Sequence, residues 1–398
     1  MPKIDNIRCV LLSSPYADAE YSEIKSCFPN GPKRTVGMVE VTLDNKVRGI
    51  GEGYLAVFAP RVFESIVELC SPYLLGTDAF DIGQRVRDLC RVCDYWSLQG
   101  AARHVTSAFE IALADAKAKT LDIPVHKLFG EASSNKMRMY GSGGCCDQKE
   151  QFFREFEILK LHGINLYKIR AVKEDILRTS WILEEADSRG IEVGVDMCQN
   201  LADPPQKVDE VVGYLNAVKS NTDKKIVFIE EAIGPADPEG FKELKNCIEP
   251  DVCGGEIITT PKEMIERINN EVYDFVQPDA SVIGGIEAVM DIFNAAKKKN
   301  IEVVVHAWGG PVAIMASYHA AFAGQGKLVE YPMLPFPLSN EMLADSMNIS
   351  NGELIRPDKP GLGVILTEDI EKRYPFDETA VYSCKTIDTG KPPETYWA

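Results

Sequence analysis

From residue 136 to about residue 330 the sequence repeats one rhythm: a short β-prone run, a polar turn, then an amphipathic helical run. The candidate strands are KMRMYGS, INLYKIR, IEVGVD, KIVFIE, VCGGE, VYDFVQPD, IEVVVH and KLVE. Between most of them lie helical stretches such as KEDILRTSWILEEADSRG and GIEAVMDIFNAAKKKN, the second closing in a basic, Asn-terminated turn. Such alternation calls for parallel strands, because each helix carries the chain back to start the next strand in the same direction. Eight units predict an α/β fold of the (β/α)8-barrel type. A doubly wound open sheet is the alternative, since eight short strands can also lie flat.

The preceding residues read differently. DNIRCVLLSS, RTVGMVEVTL and KVRGIGEGYL are β-prone, the last two joined at the turn residues Asp44 and Asn45. Helical runs follow, ending with ARHVTSAFEIALADAKAKTLD. The expected division of the 398 residues is an α+β domain over 1–125, a barrel over 126–355, and a segment 356–398 that returns to the first domain. A formal charge of −17 argues against nucleic acid and anionic membranes as partners. Neither a leader peptide nor a run of membrane-spanning length is apparent, and the eleven cysteines have no framework spacing, so a cytoplasmic protein is expected. Cys90 and Cys93 form one isolated CxxC in a helical context, where packing is the expected role.

What ends the barrel strands carries the chemistry. Strand two ends with Lys168 and Arg170, three with Asp196, four with Glu230 and Glu231, five with Glu256, six with Asp279, seven with His306 and eight with Glu330. From Arg170 onward the steps are 26, 34, 26, 23, 27 and 24 residues, each about one strand–helix unit. Strand C-termini converge on one mouth of such a barrel, where active sites are built. Asp196, Glu230 and Glu256 would repel one another unless a cation sits among them. An all-oxygen set suits Mg²⁺ first and Mn²⁺ next, with Cys198 leaving zinc as a minor alternative. Of Glu230 and Glu231, strand alternation lets only one face inward, and the sequence does not choose. Asp279 beside His306 would fix the imidazole tautomer and raise its basicity.

Together these residues resemble the enolase superfamily in its mandelate racemase subgroup. VEVTLDNKVRGIGEG is similar to a capping-domain hairpin, and K-x-R on strand two, Asp, Glu and Glu on strands three to five, QPDASVIGG, the strand-seven His and RPDKPGLGVIL follow the family order. The resemblance implies an enolase-like modified barrel with an N-terminal capping domain completed by the C-terminal segment. It implies a small carboxylate substrate, Mg²⁺ on Asp196, Glu230 and Glu256, a His306–Asp279 acid/base dyad, Glu330 at the substrate carboxyl end, and a symmetric homo-oligomer. Two departures stand out: Cys198 where the family usually has Asn, and Ala232 where it has Pro. The subgroup's racemases carry a second lysine where this chain has Arg170. A guanidinium stays protonated, so it clamps oxygens rather than taking protons. The resulting expectation is a dehydratase of an aldonate or aldarate in which His306 alone moves protons. The alternative is a racemase or epimerase in which Lys168, its pKa depressed, serves as a second base. Substrate contacts are expected from Tyr54, Trp308 and Cys198, and from a loop between about Ser14 and Lys33 that carries Tyr16, Tyr21 and Lys25.

Overall fold

The computed structural model describes residues 1–16, 33–145 and 148–380. Tyr21 and Lys25 of the expected specificity loop lie outside the described residues. Strands β1 (Ile4–Pro15), β2 (Lys33–Leu43) and β3 (Arg48–Glu52) form an antiparallel sheet in that order. Asp44 and Asn45 begin the β2–β3 turn, where Asn45 Oδ1 accepts from the Val47 N–H at 3.1 Å. The alanine-rich helix Ala101–Thr120 packs against β3. Glycine makes that approach possible: a Cβ at Gly51 would stand 1.9 Å from the Ala108 carbonyl oxygen.

The second sheet contains the expected parallel strands: β4 (Lys136–Ser142), β5 (Leu166–Arg170), β6 (Glu192–Asp196), β7 (Ile226–Glu230), β8 (Asp251–Gly254), β9 (Phe275–Val276), β10 (Glu302–Val303) and β11 (Leu328–Pro332). Each pairs with the next from β4 to β10, and β11 pairs back to β4. That return separates a barrel from the open sheet held as the alternative, and the fold is a (β/α)8-type barrel preceded by an α+β domain. The hairpin β12 (Asn348–Ser350) and β13 (Glu353–Ile355) adds to β4 antiparallel.

Three strands are shorter than the sequence reading. β8 stops at Gly254, and Gly255, at φ +108°, turns the chain before Glu256. β9 ends before Pro278, which has no N–H to continue a ladder. β10 spans only Glu302–Val303, yet the path beyond it stays extended along β9: Val304 N–H donates to the Val276 carbonyl and His306 N–H to the Pro278 carbonyl, both at 3.0 Å. Those two bonds fix His306 beside Asp279.

Beyond β13 the chain runs back along the first domain. Leu362 N–H donates to Asp115 Oδ1 at 2.8 Å while Ile50 N–H donates to Asp115 Oδ2 at 2.9 Å. Arg8 pairs with Glu371 at 2.7 Å. The Cys93 thiol lies 3.7 Å from that of Cys70 on the preceding helix, both buried and free, so the CxxC cysteine Cys93 is a packing residue. No helix among the described residues is long and apolar enough to cross a membrane.

At the junction of the linker, the helix Pro311–Ala323 and the returning segment, His126 and His319 stack with centroids 5.7 Å apart. His319 Nδ1 accepts from His126 N–H at 3.1 Å, and its Nε2 faces the Leu362 carbonyl at 3.3 Å. A second ring proton would point at a donor. Burial, then the neighbouring His126, pushes His319 down to about 3. The unfolded imidazole takes up a proton below its ordinary 6.5 and the folded one refuses it. The stability carried here is therefore complete above pH 6.5 and is lost as the pH falls toward about 3. His319→Gln should flatten the fall in urea midpoint between pH 6.5 and 4; an unchanged slope would contradict the assignment.

Candidate active site

The parallel register sets the charged strand ends side by side. Arg170 pairs with Asp196, and Asp196 with Glu230, across β5, β6 and β7. Carboxylate oxygens of Asp196, Glu230 and Glu256 all fall within 4.8 Å of one another, the only such metal-sized group among the described residues. Glu230, not Glu231, turns into this cluster. Glu231 adopts φ 42° and accepts from the Gly255 N–H at 2.6 Å.

Each carboxylate of the trio is aimed by a donor. Cys198 N–H reaches Asp196 Oδ1 at 2.8 Å. Lys168 Nζ and Gln277 Nε2 hold the two oxygens of Glu230, each at 2.5 Å. Asn200 Nδ2 reaches Glu256 Oε1 at 2.6 Å. Even so, the cluster is short of positive charge. Burial, with Asp196, Glu256 and Glu330 adding to it, pushes Glu230 up to about 7 against the pull of Lys168. A divalent cation fits this set: three convergent oxygens, a charge deficit, and ligands already oriented.

Lys168 is fully buried between Glu230 and Glu330, its Nζ 3.0 Å from Glu330 Oε1. Burial opposes its charge, yet the two carboxylates outweigh burial and hold Lys168 well above its ordinary value. The depressed value that the second-base alternative calls for is thus not what these two carboxylates favour. Arg170 is pinned as well as charged. Its Nη1 donates to Ser142 Oγ at 2.9 Å and to the Gly143 carbonyl at 2.8 Å, its Nε lies 3.6 Å from Asp196, and its guanidinium stacks 4.2 Å from the Trp308 ring centre.

His306 faces the trio. Its Nδ1 lies 2.7 Å from Asp279 Oδ2 and its Nε2 3.3 Å from Glu256 Oε2. Ser281 donates to the other Asp279 oxygen through its N–H at 2.7 Å and its Oγ at 2.6 Å. Burial alone would lower the imidazole; Glu256, Glu330 and Asp279 together push it up to about 10. Asp279 thus fixes Nδ1–H and leaves Nε2 directed at the carboxylate cluster.

Glu330 lies midway along β11 rather than at its end, buried, accepting from Ala307 N–H at 2.8 Å. Tyr54 sits edge-on to His306, with ring centres 6.2 Å apart. Trp308 is half-buried over Arg170, and Cys198 is half-buried at φ 50°. All eleven sequence-selected residues therefore gather round one mouth. Gln277, Ser281 and Asn200 were overlooked. The first two lie within QPDASVIGG, and Asn200 stands two residues after the Cys198 departure, where an amide was missing.

Both domains of the chain have counterparts among known proteins. Residues 146–370 match the family model described as enolase C-terminal domain-like, and residues 24–130 the mandelate racemase / muconate lactonizing enzyme N-terminal domain. An arabinonate dehydratase from Saccharolobus solfataricus is 25% identical over 84% of this chain and 89% of its own. The 3,6-anhydro-D-galactonate cycloisomerase of Zobellia galactanivorans superposes with a TM-score of 0.80 at 24% identity, over 94% of this chain and 99% of its own. An L-talarate dehydratase from Polaromonas sp. JS666, solved with Mg and L-glucarate, gives 0.77 at 21%, over 94% and 98%.

Loss of the Asn200 amide should loosen the cation site without touching a ligand. Asn200→Ala is expected to weaken Mn²⁺ binding about tenfold, the usual scale for a group that orients a ligand. Titration followed by electron paramagnetic resonance measures it, and an unchanged affinity would remove Asn200 from the site.

Proposed function

The chain belongs to the mandelate racemase / muconate lactonizing enzyme family of the enolase superfamily, and from that premise we propose that it is a Mg²⁺-dependent dehydratase of an acid sugar. The observation that carries the reading is an asymmetry. One side of the mouth holds a proton-transfer group, His306 on Asp279, and the other holds a pinned guanidinium. Inverting a carbon beside a carboxylate calls for proton carriers on both faces. Removing water from one face calls for only one.

Asp196, Glu230 and Glu256 would hold the cation, which supplies Lewis-acid polarisation of the substrate carboxylate when bound. The charge deficit at Glu230 supports that assignment, as does the Mg in the talarate dehydratase structure. Mn²⁺ satisfies the same oxygen set. Glu256, first among the carboxylates that push His306 up, is one that a bound cation would neutralise. With that charge offset, His306 Nε2 is free to remove the proton at C2 while Asp279 keeps Nδ1 protonated and steadies the imidazolium that forms. Lys168 and Arg170 lie where negative charge grows on the carboxylate oxygens and stabilise it. His306 then returns its proton to the departing C3 hydroxyl. Water leaves, a C2–C3 enol remains, and its tautomer is the 2-keto-3-deoxy acid. Glu330 holds Lys168 in place, and Tyr54, Trp308 and Cys198 border the space the substrate takes.

The arabinonate and talarate dehydratases support the reaction class; the aldonate or aldarate concerned belongs to the specificity of this chain. The cycloisomerase neighbour supports an isomerase as the second reading, with the same cation and Lys168 as the opposing base. The two carboxylates that keep Lys168 charged weigh against it. The proposed partner is a small carboxylate, and the proposed assembly is a symmetric homo-oligomer.

Purified protein with Mg²⁺, screened against aldonates and aldarates with semicarbazide detection of 2-keto products, should give at least one hit. His306→Asn should reduce that turnover by about 100-fold or more, the scale of a lost general acid/base. A hit untouched by the substitution would transfer the proton work to another residue.

A further inference from the structure

Glu52 ends β3 in the first domain, yet it is buried against the barrel segment that follows His306. Its Oε1 accepts from Gly310 N–H at 2.6 Å, and its Oε2 from Val312 and Ala313 N–H at 3.2 and 3.1 Å. A Cβ on Gly310 would lie 2.6 Å from that oxygen, so a glycine is what lets the strap settle on Glu52. Arg34, on neighbouring β2 and 6% exposed, donates from Nη2 to the Trp308 carbonyl at 2.5 Å. Its guanidinium also lies 5.7 Å from the Tyr54 ring centre. Two residues beyond Glu52, Tyr54 N–H reaches the Ser281 carbonyl at 3.4 Å, and Ser281 holds Asp279.

The first domain thus grips both halves of the proton-transfer pair. Through 307–310 it holds the strap that carries His306 at one end and lays Trp308 over Arg170. Through Ser281 it steadies Asp279. We propose that Glu52 and Arg34 are positioning residues for proton transfer, fixing the 307–310 strap so that His306 and the Trp308–Arg170 stack keep their places. The inference rests on His306 as the proton-transfer group, and it gives the capping domain a part in the chemistry besides any part in substrate choice.

A matched control lies within the same interface. Glu110, on the helix Ala101–Thr120, is equally buried and accepts from Ile286 and Glu287 N–H at 2.9 and 3.1 Å. It staples the first domain to a different barrel helix, Ile286–Lys299, through hydrogen bonds to Ile286 and Glu287 rather than to the strap. If Glu52 only joined domains, Glu52→Gln and Glu110→Gln would behave alike.

The experiment uses the full chain with Mg²⁺, labelled with 5-fluorotryptophan, with the Trp308 resonance identified by Trp308→Phe. Glu52→Gln and Arg34→Met should each shift or broaden the Trp308 signal, and Glu110→Gln should leave it in place despite a comparable loss of thermal stability. On the substrate found by the screen, the first two should lower kcat by up to about 100-fold with KM changed far less, the scale of an ångström-level misplacement. Arg34→Met keeps the test alive should Glu52→Gln not fold. An unmoved Trp308 signal in the strap variants, or an equal change in Glu110→Gln, overturns the proposal. The fluorine signal needs no turnover, so a failure of the dehydratase reading would be seen separately.

Discussion

Mutual repulsion among Asp196, Glu230 and Glu256 is the constraint around which the rest of the barrel mouth is arranged. Parallel pairing in register sets Asp196 beside Glu230, and the turn at Gly255 beyond β8 brings Glu256 to them. Lys168 answers part of the charge from below, wedged between Glu230 and Glu330. Gln277, Asn200 and the Cys198 amide answer it with dipoles that also aim the oxygens. What remains is a deficit that a small divalent cation meets, and the base nitrogen of His306 faces the same spot. On the proposed reading, cation site and proton carrier are one electrostatic unit.

The second-strand pair follows from this arrangement. Lys168 is committed to its two carboxylates, and Arg170 to Ser142, Gly143 and the Trp308 face. Both remain charged for physical reasons that do not depend on a substrate: Coulomb attraction for the lysine, intrinsic basicity for the arginine. On the proposed reading, the mouth has one face that moves protons and one that holds charge. The first domain reaches into the same machinery: Glu52 and Arg34 hold the loop between the two faces.

Much of this was legible before any coordinates, and the reason is periodicity. One ionisable residue per strand–helix unit is a signal that survives without knowing where any strand starts, so Asp196, Glu230, Glu256, Asp279 and His306 could be picked out. Strand lengths were not legible at β9 and β10, where the extended path to His306 persists after regular pairing stops. Asn200 was hidden because it reaches Glu256 from a turn two residues beyond the usual position, and turn geometry leaves no period to read. Glu52 and Glu110 were hidden for another reason. A glutamate in a strand or helix reads as solvent-facing unless its distant partner is known, and these partners lie 258 and 176 residues away. The state of Lys168 was illegible because it depends on which neighbours win, and the contact of Glu330 with Lys168 joins residues 162 positions apart.

The central claim is a single proton carrier at the mouth. It is tested most directly by running the reaction in D₂O and analysing both product and recovered substrate at partial conversion. One-sided chemistry predicts a 2-keto-3-deoxy product carrying deuterium at C3, and recovered substrate whose C2 configuration is unchanged. Accumulation of the C2 epimer with solvent deuterium at that carbon would contradict it, and would make Lys168 a second base after all.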